Sequence, residues 1–428
     1  MTRHLKTWTA MSLAALGTAS LTYAETAPSS PATAATILAQ VSGEGTIDAD
    51  GEGGGEGGGG IPSTYALSSS DPQAYAYDAS PQIEAYVDLV KASYARAAAD
   101  AGKLKAAVDA LLSSPSAASL EAARKAWVEA RPAYLRTEAF RFYDGPIERV
   151  EGDINAWPLN EAYIDAVQGA PASGIVNDPQ AKLDREAITS DNQKQDEADV
   201  TVGWHAVEFL LWGQDLSADG PGNRPYTDYI AGQRNNDRRR AYLALVTDKL
   251  VSDLETLETE WRAHDEMKLA ARLKTMPQRE AIGRMVNGMA ILAGYELMSE
   301  RMAVALDSGD QEDEQSCFSD TTKQDFVHDL LGIRQVWTGD ADDVSRPGLD
   351  ELVRAQDPAL AERLDGLFAD AEARIAALAD PWDQVLATAP GSPERLKAEA
   401  AIASLQALSD GLVEVGNTLG VLVMVPNG

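Results

Sequence analysis

Residues 203–213 read Gly-Trp-His-Ala-Val-Glu-Phe-Leu-Leu-Trp-Gly, and this stretch is the strongest indication of the fold class of the chain. Between Val200 and Trp212 the only ionisable side chains are those of His205 and Glu208. A helix that is apolar on nearly every side has to be surrounded by other protein rather than by water. The segment therefore predicts a buried helix inside a larger packed structure.

Helical spacing of apolar residues extends outward from this segment, from about Pro81 onward, and little strand pattern is visible. Gly145-Pro146 and Gly213 are among the stops that separate one helix from the next. The predicted helices cover residues 84–112, 115–142, 163–167, 200–212, 234–264, 278–306, 322–336, 349–378 and 393–422. We expect an all-α protein built from packed helical bundles.

The composition of the chain restricts its partners. It has 428 residues, 44% of them hydrophobic, which suits one large domain or two smaller ones. It carries 67 Asp and Glu against 36 Lys and Arg, which gives a formal net charge of −31. Phosphate binding needs a basic surface, and an anionic bilayer repels an acidic protein, so nucleic acid and anionic membrane surfaces are not expected as partners.

Cysteine and histidine are scarce. Cys317 is the only cysteine, and the four histidines are His4, His205, His264 and His328. An intrachain disulfide and a CxxC zinc site are therefore excluded. We expect Cys317 to be a small buried side chain, His264 to be a solvated helix end and His328 to be a surface or structural contact. Any metal site has to use carboxylates.

The N-terminus has the features of a cleavable export signal at residues 1–24. Arg3 and Lys6 precede a mildly apolar stretch, and Thr22-Tyr23-Ala24 offers small residues before a cleavage point. This stretch is too short and too weakly apolar to remain as a membrane span, so none is expected in the mature chain. Residues 25–78 are rich in Ala, Ser and Gly and predict a disordered tether. We expect a protein of the periplasm or cell envelope.

His205 and Glu208 form the first candidate site. Residues three apart lie on one face of a helix, about 60° apart around its axis. An imidazole and a carboxylate together suit a transition metal. A buried carboxylate is costly unless it is paired or coordinated. Two interpretations remain open, a metal-binding pair and a buried hydrogen bond or salt bridge.

Glu138 is the second candidate. When Leu120, Trp127 and Tyr134 are followed at about 100° per residue, Glu138 returns to the direction of Leu120. It therefore lies in the apolar stripe of the predicted helix rather than on a solvated face. Its carboxylate either pairs with Arg141, three residues on, or points into a cleft.

Residues 307–320 are the third candidate. They contain six acidic residues but do not match the EF-hand calcium loop, which requires a different order of ligands. The segment is either a solvated acidic loop or part of a cation site.

Residues 203–213 resemble the GxHxxE signature of the imelysin family, bacterial envelope proteins that include the metalloprotease imelysin and the iron-regulated protein A group. Residues 137–142, 155–165 and 309–320 are similar to other stretches of that family. The resemblance extends from about Pro81 to the end of the chain.

The resemblance implies an all-α fold of two bundle-like halves, with the GxHxxE helix facing a cleft between them. We place the imelysin-like domain at residues 79–428. Its first bundle covers about 79–265 and its second about 266–428.

The resemblance also implies that His205 and Glu208 are the metal-site pair, with iron or zinc as the ion. We add Glu138 and Asp320 as further candidate ligands, because both fall in stretches that match the family.

Three functions are compatible with these observations. The first is an exported envelope protein that binds Fe or Zn for iron acquisition, with an envelope or iron-uptake protein as a possible partner. The second is a zinc metallopeptidase in which Glu208 is catalytic, but a third ligand is not identified. The third is a non-enzymatic interaction protein in which His205 and Glu208 are a structural pair. We favour the first over the second, and if the chain is an enzyme we expect a metallopeptidase.

Overall fold

Long amphipathic helices make up most of the described part of the chain. The structure is a computed structural model, and it describes residues 65–71, 75–142, 147–217, 219–233, 235–262 and 268–426. The predicted signal at 1–24 and most of the predicted tether lie outside these residues. All described residues belong to one unit, within Glu56–Gly428.

The expectation of an all-α protein is confirmed, since the described residues form only two three-residue strands besides the helices. The helices are α1 (Ser80–Ser113), α2 (Ala117–Leu135), α3 (Glu151–Ile154), α4 (Glu161–Ile164), α5 (Arg185–Ser190), α6 (Gly203–Trp212), α7 (Asn236–Arg262), α8 (Leu269–Thr275), α9 (Gln278–Ile291), α10 (Val304–Ser308), α11 (Thr322–Thr338), α12 (Leu349–Gln356), α13 (Pro358–Ala376), α14 (Asp383–Leu386) and α15 (Pro393–Thr418). A π-helix, Leu292–Ala303, joins α9 to α10.

The helices pack against one another in two groups. In the first, α1 lies against α2 and α7, and α6 packs between α2 and α7. In the second, α15 packs against α9, α13 and the π-helix, while α11 packs against α13 and also reaches α2. The boundary predicted between residues 265 and 266, and the cleft between two halves, stay predictions. Among the described helices, none combines the length and apolar character that crossing a bilayer requires.

The ends of the described chain are joined by a small sheet. Strand β1 (Tyr65–Leu67) pairs antiparallel with β2 (Val421–Val423), with Tyr65 opposite Val423. The Tyr77 hydroxyl also donates a 2.7 Å hydrogen bond to the carbonyl of Leu419. The folded unit therefore begins before residue 79, inside the segment that the sequence predicted to be tether.

The helix predicted to run to residue 142 ends earlier, and this is a correction. Helix α2 stops at Leu135, and a 3₁₀ turn follows at Glu138–Phe140. The Thr137 hydroxyl donates a 2.6 Å hydrogen bond to the carbonyl of Tyr134, which satisfies a backbone acceptor at the end of the helix. The predicted burial of Glu138 holds nonetheless, because its side chain is 1% exposed.

Helix α6 begins at a glycine because no other residue fits there. Gly203 has a φ of +88°, and a Cβ at this position would lie 2.5 Å from the carbonyl oxygen of Ile154. Side chains other than hydrogen are strained at such a φ, and here they would also collide with backbone. The glycine of the GxHxxE signature, Gly203, thus lets α6 start directly against α3.

We predict that Gly203→Ala destabilises the protein by about 2–4 kcal/mol, because backbone strain and a backbone collision add. Thermal unfolding followed by circular dichroism would measure the loss. Gly366→Ala on α13 is the matched control, because a Cβ there meets nothing within 4 Å. That control should be neutral or slightly stabilising. Equal melting temperatures for both variants would contradict the prediction.

Candidate metal centre

His205 and Glu208 bond directly to each other inside α6. The His205 Nδ1 atom lies 2.8 Å from Oε2 of Glu208, and the two residues are 1% and 0% exposed. The other carboxylate oxygen, Oε1, accepts hydrogen bonds from the Ser319 backbone N–H at 3.0 Å and from its hydroxyl at 2.6 Å. Ser319 belongs to the acidic segment 307–320, so this segment is tied to the GxHxxE helix.

Arg131 occupies the other side of the imidazole. Its Nη2 lies 3.3 Å from Nε2 of His205, and its guanidinium also forms a two-point ion pair with Asp325, the shortest contact being 2.8 Å. The Ser316 hydroxyl donates a 2.6 Å hydrogen bond to the same carboxylate, and Asn155 accepts from Nη1 of Arg131. A guanidinium only donates, so Nε2 of His205 accepts and Nδ1 carries the proton that bonds Glu208.

The electrostatics of this pair follow from its burial. Burial, helped by the charge of Arg131, lowers the pKa of His205 well below 6.5, so the imidazole is neutral. Burial raises the pKa of Glu208 to about 8, although the Ser319 hydroxyl and Arg131 act in the opposite direction. Both ring nitrogens and both carboxylate oxygens already have partners. As arranged here, the pair has no atom free to bind a metal, and the positively charged guanidinium of Arg131 lies beside it.

Glu138 lies in a separate ion-pair cluster. Its Oε2 accepts from Arg141 at 2.7 Å and from Arg301 of the π-helix at 2.6 Å. Arg301 in turn contacts Asp329 of α11 at 2.6 Å. Burial alone would raise the pKa of Glu138, but the two guanidinium groups hold it at about 2. Of the two interpretations of Glu138, the structure shows the pairing with Arg141.

Asp320 lies among other carboxylates. Asp320 lies two residues before α11. Its carboxylate comes close to those of Asp215, which follows α6, and of Asp383, the first residue of α14. One oxygen from each of the three lies within 4.8 Å of the others. Burial and then the charge of Asp383 raise the pKa of Asp320 to about 8.

This carboxylate group is distinct from the other predicted ligands. Among the described residues, it is the one set of three His, Cys, Asp or Glu side chains whose ligand atoms lie this close. The structure thus brings His205 together with Glu208 and links them to Ser319, the residue directly before Asp320. It does not bring Glu138 into the same set.

The imelysin family profile, classified as peptidase family M75, matches residues 90–412. The chain belongs to the imelysin family. It is 27% identical over 356 residues to iron-regulated protein A of Synechococcus elongatus, a match that covers 81% of this chain and 89% of that protein.

Two solved structures of the family share the fold. An iron-regulated protein A precursor from Parabacteroides distasonis superposes with a TM-score of 0.66 at 20% identity, covering 82% of this chain and 98% of that one. An imelysin-like protein from Psychrobacter arcticum gives a TM-score of 0.60 at 16% identity, covering 82% and 99%.

The metal that the imelysin family implies can be tested against both groups of side chains. The GxHxxE pair does not fit, because its donor atoms are engaged and Arg131 lies 3.3 Å from the imidazole. The carboxylate group fits better. Both oxygens of Asp383 are buried without a hydrogen-bond partner in the described structure, and so is Oδ1 of Asp320.

A small, half-open recess adjoins Asp215 of this group. Glu161, Asp215 and Cys317 are among its lining residues. Cys317 is 8% exposed, which confirms the expectation that it is buried. His328 is half-buried on α11, and His264 lies outside the described residues.

Several residues of these networks were not found from the sequence. Arg131 lies four residues after Trp127, in the same apolar stripe that indicated the burial of Glu138, so helical spacing could have identified its burial. The partners of Arg131, Arg301 and Asp325 depend on which helices meet. Asp215 and Asp383 are 168 positions apart and carry no pattern that relates them.

Glu161 gives a prediction about pH. Burial and then the charge of Glu312 raise its pKa from 4.5 to about 7. A carboxyl whose pKa is higher in the folded state contributes stability below its unfolded pKa and loses it as the pH rises through the folded one. Glu161→Gln should therefore match the wild type at pH 5 and melt a few degrees higher at pH 8. Glu121→Gln, at an exposed position of α2, is the control. A pH-independent difference between wild type and Glu161→Gln would refute this assignment.

Proposed function

We propose that this member of the imelysin family is an exported protein of the periplasm or cell envelope that binds a metal ion, iron or zinc, and serves iron acquisition. The observation that carries the proposal is the link between the signature helix and the acidic segment. Glu208 of the GxHxxE motif holds Ser319 through two hydrogen bonds, and Asp320, the next residue, belongs to the carboxylate group.

The names of two relatives, the net charge of the chain and its predicted signal also support the proposal. The relative from Synechococcus elongatus is named for regulation by iron, and the one from Parabacteroides distasonis is named as a precursor, which agrees with export. The formal charge of −31 attracts cations to the protein surface. The predicted signal at residues 1–24 agrees with the same location.

In this proposal His205 and Glu208 belong to the metal centre as a buried support, and Asp320 supplies a ligand. Glu138 is not proposed as a ligand, because its carboxylate is neutralised by Arg141 and Arg301. When bound, iron or zinc would supply a positive charge that offsets the carboxylates. The residues of the chain orient and bury that charge.

A zinc peptidase is less well supported by this geometry. Such an enzyme needs three ligands and an open position for a water molecule. Glu208 has both oxygens occupied, so it is not free to act as a general base. No other His, Cys, Asp or Glu of the described chain completes a three-ligand set with His205 and Glu208.

A non-enzymatic interaction protein is the second candidate, because the His205–Glu208 pair is fully hydrogen-bonded. Under this alternative the pair only stabilises the fold. Its substitution would lower the melting temperature without changing the metal content.

Elemental analysis tests the proposal. The mature protein, purified without a histidine tag, should carry nearly stoichiometric iron or zinc, or take it up when loaded. A folded Glu208→Gln variant should hold less metal, because its altered contact with Ser319 displaces Asp320. Glu129→Gln, on the exposed face of α2, should keep the wild-type content.

Two results would contradict the proposal. Wild-type protein that holds no metal after loading would exclude metal binding and favour the interaction protein. Cleavage of peptides that is abolished by a chelator and by Glu208→Gln would favour the peptidase instead.

A further inference from the structure

Four acidic side chains from three separate segments meet near the start of α11. Asp215 follows α6, Glu314 and Asp320 lie in the segment before α11, and Asp383 begins α14. The oxygens of Asp215, Asp320 and Asp383 lie within 4.8 Å of one another. Glu314 borders Asp383 and Asp320, whose charges act on its carboxyl.

Both oxygens of Asp215 accept hydrogen bonds, from the Ser217 backbone N–H and from the Gln311 side chain, whereas the oxygens of Glu314 and Asp383 do not. Glu314 and Asp383 are each 2% exposed, and none of their four carboxylate oxygens has a partner at ordinary hydrogen-bond geometry among the described residues. The groups that act on these carboxyls are Thr322 and the other acids of the group, and none of them is a cation. Oδ1 of Asp320 is likewise buried without a partner. A buried carboxylate without a donor is expensive, so such a group indicates a missing positive partner.

Several other buried acids of the protein are paired with arginine. The four other buried acids with the strongest pairing each contact arginine. They are Glu138, Asp165, Asp325 and Asp329. In the described structure, no lysine or arginine forms an ion pair with Asp215, Glu314, Asp320 or Asp383. Buried acids without a cation, such as Asp199 and Glu208, have neutral hydrogen-bond donors instead. Glu314 and Asp383 have neither a cation nor such a donor at ordinary hydrogen-bond geometry.

We propose that Asp215, Glu314, Asp320 and Asp383 are the metal ligands themselves and that they take a hard, oxygen-preferring cation. This inference rests on the proposed function and names the ligands and the class of ion. All four offer only carboxylate oxygen, which suits iron, manganese, calcium or magnesium better than zinc, whose protein sites favour nitrogen and sulfur. Of the two metals considered for the chain, iron is therefore the expected one.

In this arrangement His205 and Glu208 are positioning residues. Asp320 has a left-handed φ of +58°, a conformation that needs support from its surroundings. Ser319, directly before it, is held by Glu208, which is held by His205. The GxHxxE pair thus fixes the orientation of a ligand without touching the metal.

The test compares metal binding by the full mature protein and its variants. Wild type, Asp383→Asn and Glu314→Gln are stripped with a chelator and loaded separately with Fe²⁺ under anaerobic conditions, Mn²⁺, Ca²⁺ and Zn²⁺. Bound metal is measured after dialysis, and the melting temperature is measured with and without each ion. Asp307→Asn is the matched control, because Asp307 is an exposed acid of the same segment.

We expect wild type and Asp307→Asn to bind a hard cation and to melt at a higher temperature when loaded. Asp383→Asn and Glu314→Gln should lose the ion and its thermal shift. Their metal-free forms should melt no lower than metal-free wild type, since each removes a like charge from the group. Ser319→Ala should keep the site but bind about 10–100-fold more weakly, as for supports of other metal ligands.

The outcomes separate this inference from the proposed function. Metal bound by wild type and retained by both carboxylate variants would overturn the inference and leave the function intact. Tight binding of Zn²⁺ with no binding of the other three ions would overturn the class of cation. Wild-type protein that binds none of the four ions would overturn both.

Discussion

A chain of buried polar contacts from Asp325 through Arg131, His205 and Glu208 to Ser319 organises the centre of the molecule. It connects α11, α2, α6 and the acidic segment, so elements far apart in sequence share one set of hydrogen bonds. Every link is inaccessible to water, which makes each contact strong and the loss of any partner costly. The order of donors also fixes the imidazole in one tautomer. The position of the residues after Ser319 depends on this series of hydrogen bonds.

Local spacing predicted what lies within one or two helical turns. The i,i+3 relation of His205 and Glu208 indicated that they face each other, and the stripe through Trp127 indicated that Glu138 is buried. Both statements depend only on helical geometry. The family was identified from residues 203–213 and the stretches that accompany it, and the profile match confirms it.

Contacts between distant segments were beyond sequence reasoning. The cation beside His205 comes from α2, and the partner of Glu138 besides Arg141 comes from the π-helix. Helical spacing can place an arginine such as Arg131 on the buried stripe, but it does not indicate which residue of another element that arginine contacts. Asp320 was singled out, but its neighbours Asp215 and Asp383 depend on how α6 and α14 meet. The sequence thus indicated individual ligand candidates without the grouping that gives them chemistry.

The pairing of β1 with β2 has a mechanical consequence. Tyr65 and Val423 are opposite each other, at the outer end of the antiparallel ladder. A force that pulls the two ends of the folded unit apart would act first on this pair and open the hydrogen bonds one after another, as in a zipper. Zipper loading breaks bonds singly, so the ladder would yield at low force while the helices behind it bear none. The small sheet would therefore be the first part of the folded unit to open under tension applied through its ends, and the load would then pass to the contact between Tyr77 and Leu419.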